Sequence, residues 1–352
     1  MSHKKLNRAV AAGVFLISLT VYVSTISPTV TLWDVGEFCA AAFSLQVPHP
    51  PGAPLFLLLA RLASIIPATS DIAMRMHLLS ALASALTCTL LYLLSVRFMI
   101  SWRGTPEVFT DKIFVHGSAV LGSFSLAFSP TFWSSAIEAE VYGMGMLFVS
   151  LILWLGMCWY EQPDHKNGDS YFLLVAYLVG LAAGVHYLAI LTLFPVMLLY
   201  YFKFHEFSPG SFVRFGAAAL IVFAIVYPGI VKTLPSMLDG EFAGIRSVLF
   251  QIIPILLIGA AIYGVYVSAR KQARLLNFAL LSFLFVALGF STYTVVFIRA
   301  NASPPMNENN PSTLAKLVSY LGREQYGDEP MMDRRWNNDP AHRPALAKYS
   351  GD

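Results

Sequence analysis

Long apolar stretches separated by short charged ones set the pattern of this chain. Stretches free of Asp, Glu, Lys and Arg run over 9–33, 76–96, 113–137, 141–160, 171–202, 215–231, 247–269 and 275–298. A helix crosses the hydrocarbon core of a bilayer with about 20 apolar residues. Each stretch is therefore a candidate span. The run 171–202 is too long for one helix, and Gly180, Gly184 and His186 mark a place for it to turn back. The pattern predicts two spans there and nine in all.

Charge supports that division. With the N-terminus inside, the inner segments hold Lys4, Lys5, Arg8, Arg97, Arg103, Lys112, Lys166, Lys203, Arg214, Arg270, Lys271 and Arg274. The short outer segments hold only Arg61, Arg75, Lys232 and Arg246. This is the positive-inside bias of a polytopic protein, and it reverses after residue 200 if the long run stays whole. Lys4, Lys5 and Arg8 ahead of the first span, with no A-x-A-like cleavage site after it, predict an uncleaved signal anchor.

Composition agrees. The 352 residues are 57% hydrophobic and 12% charged, half the charge density of about 25% typical of a soluble domain. The net charge of +3 leaves no electrostatic footprint for nucleic acid. Cys39, Cys88 and Cys158 are an odd count without metal-ligand spacing, so neither a disulfide framework nor a zinc site is expected.

The chain divides into a membrane domain, 1–298, whose first outer loop is 28–75, and an outer tail, 299–352. The tail carries Asn301, Asn307, Asn309 and Asn310, with Pro304, Pro305 and Pro311, and then a short helical stretch near 312–322. It is too small to bury a core of its own. It is expected either to pack on the membrane domain or to begin a longer soluble region.

The first outer loop holds the densest chemistry. Asp34 and Glu37 are spaced i, i+3, so a helix opening at Asp34 puts both carboxylates on one face. Segments 34–46 and 55–66 are too short to span and read as helices lying on the membrane surface. A stiff corner of His49, Pro50, Pro51, Gly52 and Pro54 joins them. Two readings of the pair stay open. Asp34 and Glu37 form a capping box, or Asp34 is a general base at the mouth of a lipid-facing pocket. A second outer loop brings Glu138 and Glu140 to the start of the next span, with Trp133 and Tyr142 beside them. Those acids favour a helix start in any case, and the two rings suit an interface belt. His186 falls in an outer turn, where a histidine commonly caps. Arg61, Arg75, Arg246 and Arg299 are the outer cations able to hold a phosphate, and Arg299, ending the last span, otherwise snorkels.

Asp34, Gly36, Glu37 and Phe38, followed by His49-Pro50-Pro51-Gly52, Pro54 and Leu55, resemble a bacterial membrane family long catalogued as a domain of unknown function. Its vertebrate relative is an endoplasmic-reticulum protein O-mannosyltransferase. Trp133-Ser134, Glu140-Val141-Tyr142, Gly184-Val185-His186, Asn307-Glu308-Asn309 and Arg323-Glu324-Gln325-Tyr326-Gly327-Asp328 match in the same order. The resemblance implies the GT-C glycosyltransferase plan, an all-α multi-span bundle with two juxtamembrane helices and an acidic catalytic residue in its first outer loop. It implies transfer of a sugar, mannose by this likeness, from a polyprenyl-phosphate carrier to an acceptor hydroxyl on a protein Ser or Thr or on a glycan. Asp34 would be the base and Glu37 its partner. His49, Glu138, Glu140, Tyr142 and His186 would bind sugar or acceptor, and Arg299, Arg61 or Arg75 the phosphate. A divalent cation shared by the acidic loops is allowed, but no ligand spacing demands one. The setting would be a bacterial inner membrane, with the N-terminus cytoplasmic and the tail periplasmic. The rival classes are a transporter or flippase for a lipid-linked solute and a non-catalytic scaffold. Charges confined to one face, with spans nearly free of them, favour the enzyme.

Overall fold

The computed structural model describes residues 2–162 and 165–327, with side chains at 165–167 left aside. The part of the predicted tail beyond 327 lies outside the described residues.

Helix α1 (His3–Ser24) is followed by the surface helices α2 (Asp34–Ser44) and α3 (Pro54–Ile65). Then come α4 (Ile72–Arg103), α5 (Phe109–Ala127), α6 (Pro130–Ile137), α7 (Val141–Tyr160) and α8 (His165–Ala183). A tight helical turn at Tyr187–Thr192 leads into α9 (Leu193–Phe204), and α10 (Pro209–Ala224) widens through Ile225–Thr233 into α11 (Leu234–Leu238). A two-stranded hairpin, β1 (Glu241–Phe242) and β2 (Ile245–Arg246), precedes α12 (Val248–Arg270). The last elements are α13 (Arg274–Phe290), α14 (Thr294–Asn301) and α15 (Leu314–Gly322). This is an all-α polytopic membrane protein.

Among the described residues seven helices are long and apolar enough to cross a membrane, or eight if the bent pair α5–α6 counts as one span. The count of nine is not reached, for two local reasons. The expected span 113–137 breaks at Phe128–Ser129, where the axis turns by 66°. Pro130 has no N–H to continue a helix and pushes Ser129 into extended backbone, so α6 starts afresh. The run 171–202 does divide, between Ala183 and Tyr187, but its first half, Gly168–Ala183, is short for a span.

Glycine lets α8 and α13 touch backbone to backbone. A Cβ at Gly180 would lie 2.1 Å from the Val286 carbonyl oxygen, and one at Gly289 would lie 2.5 Å from the Leu181 nitrogen. Small residues at helix contacts are the membrane solution to close packing. This pair fixes the turn that carries His186.

The described part of the tail, 299–327, docks on the loop and helix that follow α1. Val47 N–H donates to Met306 O (3.1 Å) and Glu308 N–H to Val47 O (3.0 Å), a parallel bridge. Gln46 Oε1 accepts from Met306 N–H at 2.7 Å. Arg299 donates to Ser44 O and Leu45 O, capping the C-terminus of α2. Helix α15 follows, with Thr313 as its N-cap and Leu317, Tyr320 and Leu321 buried.

Candidate functional site

One cavity of about 470 Å³ opens at one end of the bundle. Asp34 and Glu37 come to it from the first turn of α2, and His49 from the proline corner. Glu140 and Tyr142 come from the start of α7, His186 and Tyr187 from the turn after α8, and Arg323 and Tyr326 from the end of the tail. Six of the side chains expected from sequence, Asp34, Glu37, His49, Glu140, Tyr142 and His186, therefore share one wall.

The capping-box reading of α2 does not hold. Its N-cap is Trp33, with no side-chain cap bond. Both oxygens of Glu37 turn to His49 instead. Oε1 accepts the His49 backbone N–H, and Oε2 lies 2.8 Å from Nδ1. The other ring nitrogen, Nε2, faces Asp34 Oδ2 at 4.0 Å. Asp34 is the open member of the trio, its side chain 54% exposed against 24% for Glu37.

Burial acts to raise the Glu37 pKa, but the two hydrogen bonds and the charge of His49 together hold it below the usual carboxylate range. The Glu37 bond raises His49 against the cost of burial, with help from the Glu37 and Asp34 charges, while Arg323 opposes them. The bond between them thus favours the charged form of both partners. Glu140 shifts the other way. Burial first, then the charges of Asp34 and Glu138, push it up to about 7, although the Val141 N–H and the His49 charge pull it down. His186 is lowered by burial and by Arg323. Its Nδ1 accepts the Leu188 N–H, so the capping role holds, and its ring packs on Tyr142.

Five expected residues stand elsewhere. Glu138 accepts from Ser27 Oγ (3.4 Å) outside the cavity lining. The four cations offered for a phosphate are all engaged. Arg61 lies over Phe43, and Arg75 donates to Ser64 O and Thr69 O. Arg246 pairs with Asp239 and Glu241, and Arg299 caps α2. The cation that lines the cavity is Arg323, which the sequence reading quoted only as part of a tail motif. Among the described residues its guanidinium makes no hydrogen bond or ion pair and lies 4.8 Å over the Tyr326 ring. That motif was the signal that could have found it.

Asp34, Glu37 and His49 offer ligand atoms within 4.8 Å of one another. A cation would need the Glu37 oxygens that His49 already holds, so the trio suits keeping a proton better than keeping a metal. Next to the polar cavity is an apolar one of about 390 Å³, walled by residues of α11–α15. Tyr187 of the polar cavity and Tyr293 of the apolar one are in ring contact (6.1 Å), and α15, which walls the apolar one, ends just before Arg323 in the other.

Fold and site together define a polytopic all-α membrane protein with an acid–imidazole cavity at one end of the bundle. Residues 34–208 match the family described as "Protein O-mannosyl-transferase TMEM260 N-terminal domain", and the chain is related to those proteins. It is 30% identical over 170 residues to "Protein O-mannosyl-transferase tmem260" of Dictyostelium discoideum, covering 48% of this chain and 19% of that one. It is 28% identical over 207 residues to the Mus musculus protein of the same name, covering 58% of this chain and 28% of that one. The match thus spans between a fifth and under a third of those relatives. No solved structure matches significantly.

Proposed function

We propose that the chain is the membrane part of a GT-C-type glycosyltransferase. Its cavity would move a sugar, mannose by the names of its relatives, from a polyprenyl-phosphate carrier to an acceptor hydroxyl on a protein Ser or Thr. The observation that carries the reading is the combination, in one cavity, of an open carboxylate, Asp34, an ion pair behind it and one cation, Arg323.

The chemistry needs those three things. Asp34 takes the proton of the acceptor hydroxyl as its oxygen bonds to the anomeric carbon. The bond from that carbon to the phosphate oxygen breaks, and the electron pair leaves on the polyprenyl phosphate. Arg323 meets the growing charge on the leaving phosphate. Glu37 acts through His49, whose ring faces Asp34 and holds the carboxylate in place. Glu37 is thus a positioning residue. Glu140, which titrates near neutrality, and Tyr142 suit the hydroxyls of a sugar. The neighbouring apolar cavity suits the first isoprene units of the carrier, whose head group would then reach Arg323 past the end of α15.

The charge bias of the loops supports a cytoplasmic N-terminus and an outer tail, and the sequence resemblance supports a bacterial inner membrane. The test is a transfer assay on the full chain in lipid nanodiscs, with polyprenyl-phosphate mannose and a Ser/Thr-rich peptide. Asp34→Asn keeps the size of the side chain and removes the base, so turnover should fall by about 10²–10⁴-fold. Full turnover in that variant would remove Asp34 from the chemistry.

A further inference from the structure

Helix α15 lies behind the proline corner, and one of its side chains reaches into it. Tyr320 is fully buried. Its hydroxyl donates to the carbonyl of Pro48, 272 positions earlier, and lies 3.4 Å from the carbonyl of His49. Its ring fills the space over Gly52, where a Cβ would come within 2.5 Å of the hydroxyl. A phenylalanine ring would fill the same space. The hydroxyl is therefore there for the bond, as buried tyrosine hydroxyls usually are.

His49 is held from two sides. On one, Glu37 takes its backbone N–H and its ring nitrogen. On the other, Gly52 N–H donates to its carbonyl at 2.8 Å and Tyr320 pins the carbonyl just before it. Without the Tyr320 hydroxyl the Pro48 carbonyl loses its donor, which a buried polar group tolerates poorly. The corner would then relax toward other partners and take the imidazole with it. Displacements well under an ångström matter when a ring must keep one nitrogen on a carboxylate and the other toward a base.

We propose that Tyr320 is a positioning residue for His49, so that the tail helix sets the geometry of the acid–base trio. The groups facing the imidazole are Glu37 and Asp34 on α2, Glu140 at the start of α7 and Arg323 after α15. Tyr320 is neutral among them, so its influence is on distance rather than on field. Arg323 follows it by three positions, so one short helix both steadies His49 and delivers the cavity's cation.

The activity arm of the test rests on the transfer reading, and the labelling arm does not. In the full chain, diethyl pyrocarbonate modifies the neutral imidazole, and mass spectrometry follows His49 across pH. Tyr320→Phe should loosen the His49–Glu37 bond and raise the labelling rate at pH 7 by about 3- to 10-fold, as a shift of half to one pKa unit would. Glu37→Gln should do more. In the transfer assay Tyr320→Phe should lower kcat about tenfold and leave the donor KM within about twofold, as lost positioning of reacting groups does. If Tyr320 serves packing alone, the variant melts lower while His49 labelling and kcat per folded molecule match the parent, and the proposal falls. Should Tyr320→Phe fail to accumulate, Gly52→Ala crowds the same hydroxyl from the loop side and must show the same rise in labelling. A parent without transfer activity would refute the transferase reading and leave the labelling result to decide this one.

Discussion

Replacing Arg323 by Ala should weaken capture of a polyprenyl-phosphate donor by roughly 10- to 150-fold. The magnitude follows from what the guanidinium does now. It lines the cavity and makes no hydrogen bond or ion pair among the described residues, resting only on the Tyr326 ring. A phosphate therefore gains the contact without breaking another. A hydrogen bond to a charged group is worth about 1.5–3 kcal/mol, and each 1.4 kcal/mol or so is tenfold in affinity. Arg323 is exposed, so water and salt weaken the contact and the lower end of the range applies at high ionic strength. Arg323→Lys keeps the charge, loses the two-pronged geometry and should fall between parent and Ala. Arg246→Ala is the comparison, because that side chain is 68% exposed and paired with Asp239 and Glu241 at the hairpin. Apparent donor affinity would be measured from initial rates and from direct binding in nanodiscs at low and high salt. Equal affinities for parent, Lys and Ala forms would refute the assignment of the phosphate to Arg323.

Two further outcomes follow from the same geometry. Burial favours the neutral form of Glu140, so its carboxyl is protonated below about pH 7 and charged above it. The pH profile of kcat/KM should therefore bend near 7 in the parent, and Glu140→Gln, a mimic of the protonated form, should remove that bend. A bend that survives the substitution would assign it to another group. Gly180→Ala should cost about 1–3 kcal/mol of stability, the usual penalty for overpacking, since its Cβ would meet the Val286 carbonyl at 2.1 Å. Thermal melts in detergent would show it, with Gly117→Ala, whose Cβ meets nothing within 4 Å, expected to be neutral or slightly stabilising.

The membrane architecture was legible because apolar runs and charged breaks are local properties of the sequence. The surface helices α2 and α3 were legible for the same reason, bounded by Asp34 and by the proline corner. The turn near His186 was legible from Gly180, Gly184 and His186 together with charge parity, and Gly180 meets Val286 of α13. What escaped is non-local. Glu37 at the fourth position of a helix looks like half of a capping box, and nothing in that spacing says its partner is His49, twelve residues on. Arg299 looked like the phosphate cation because it ends a span, yet its bonds to Ser44 and Leu45 join positions about 250 apart. Arg323 reaches the cavity only because the tail folds back over Val47 and Pro48, a path set by tertiary bonds and not by any period in the tail. Pro130 was visible as a residue, but an unbroken apolar run outweighed it in the count of spans.

The bond between Gln46 and Met306 joins positions 260 apart, and this has a consequence for how the protein is made. Closing a loop of that length costs on the order of 5 kcal/mol of chain entropy, offset only when the whole clasp of Arg299, Met306, Glu308 and Tyr320 forms together. Helix α2 and its two carboxylates leave the ribosome early, but the residues that fasten its far end and the histidine beside it are translated about 250 or more positions later. At roughly 5–20 residues per second, the loop spends many seconds in the membrane without its clasp and without Arg323. A nascent chain would carry Asp34 and still be idle, and a chain truncated before residue 320 would insert its helices and remain so. Order of synthesis thus ties the assembly of the cavity to the arrival of α15 and of Arg323 behind it.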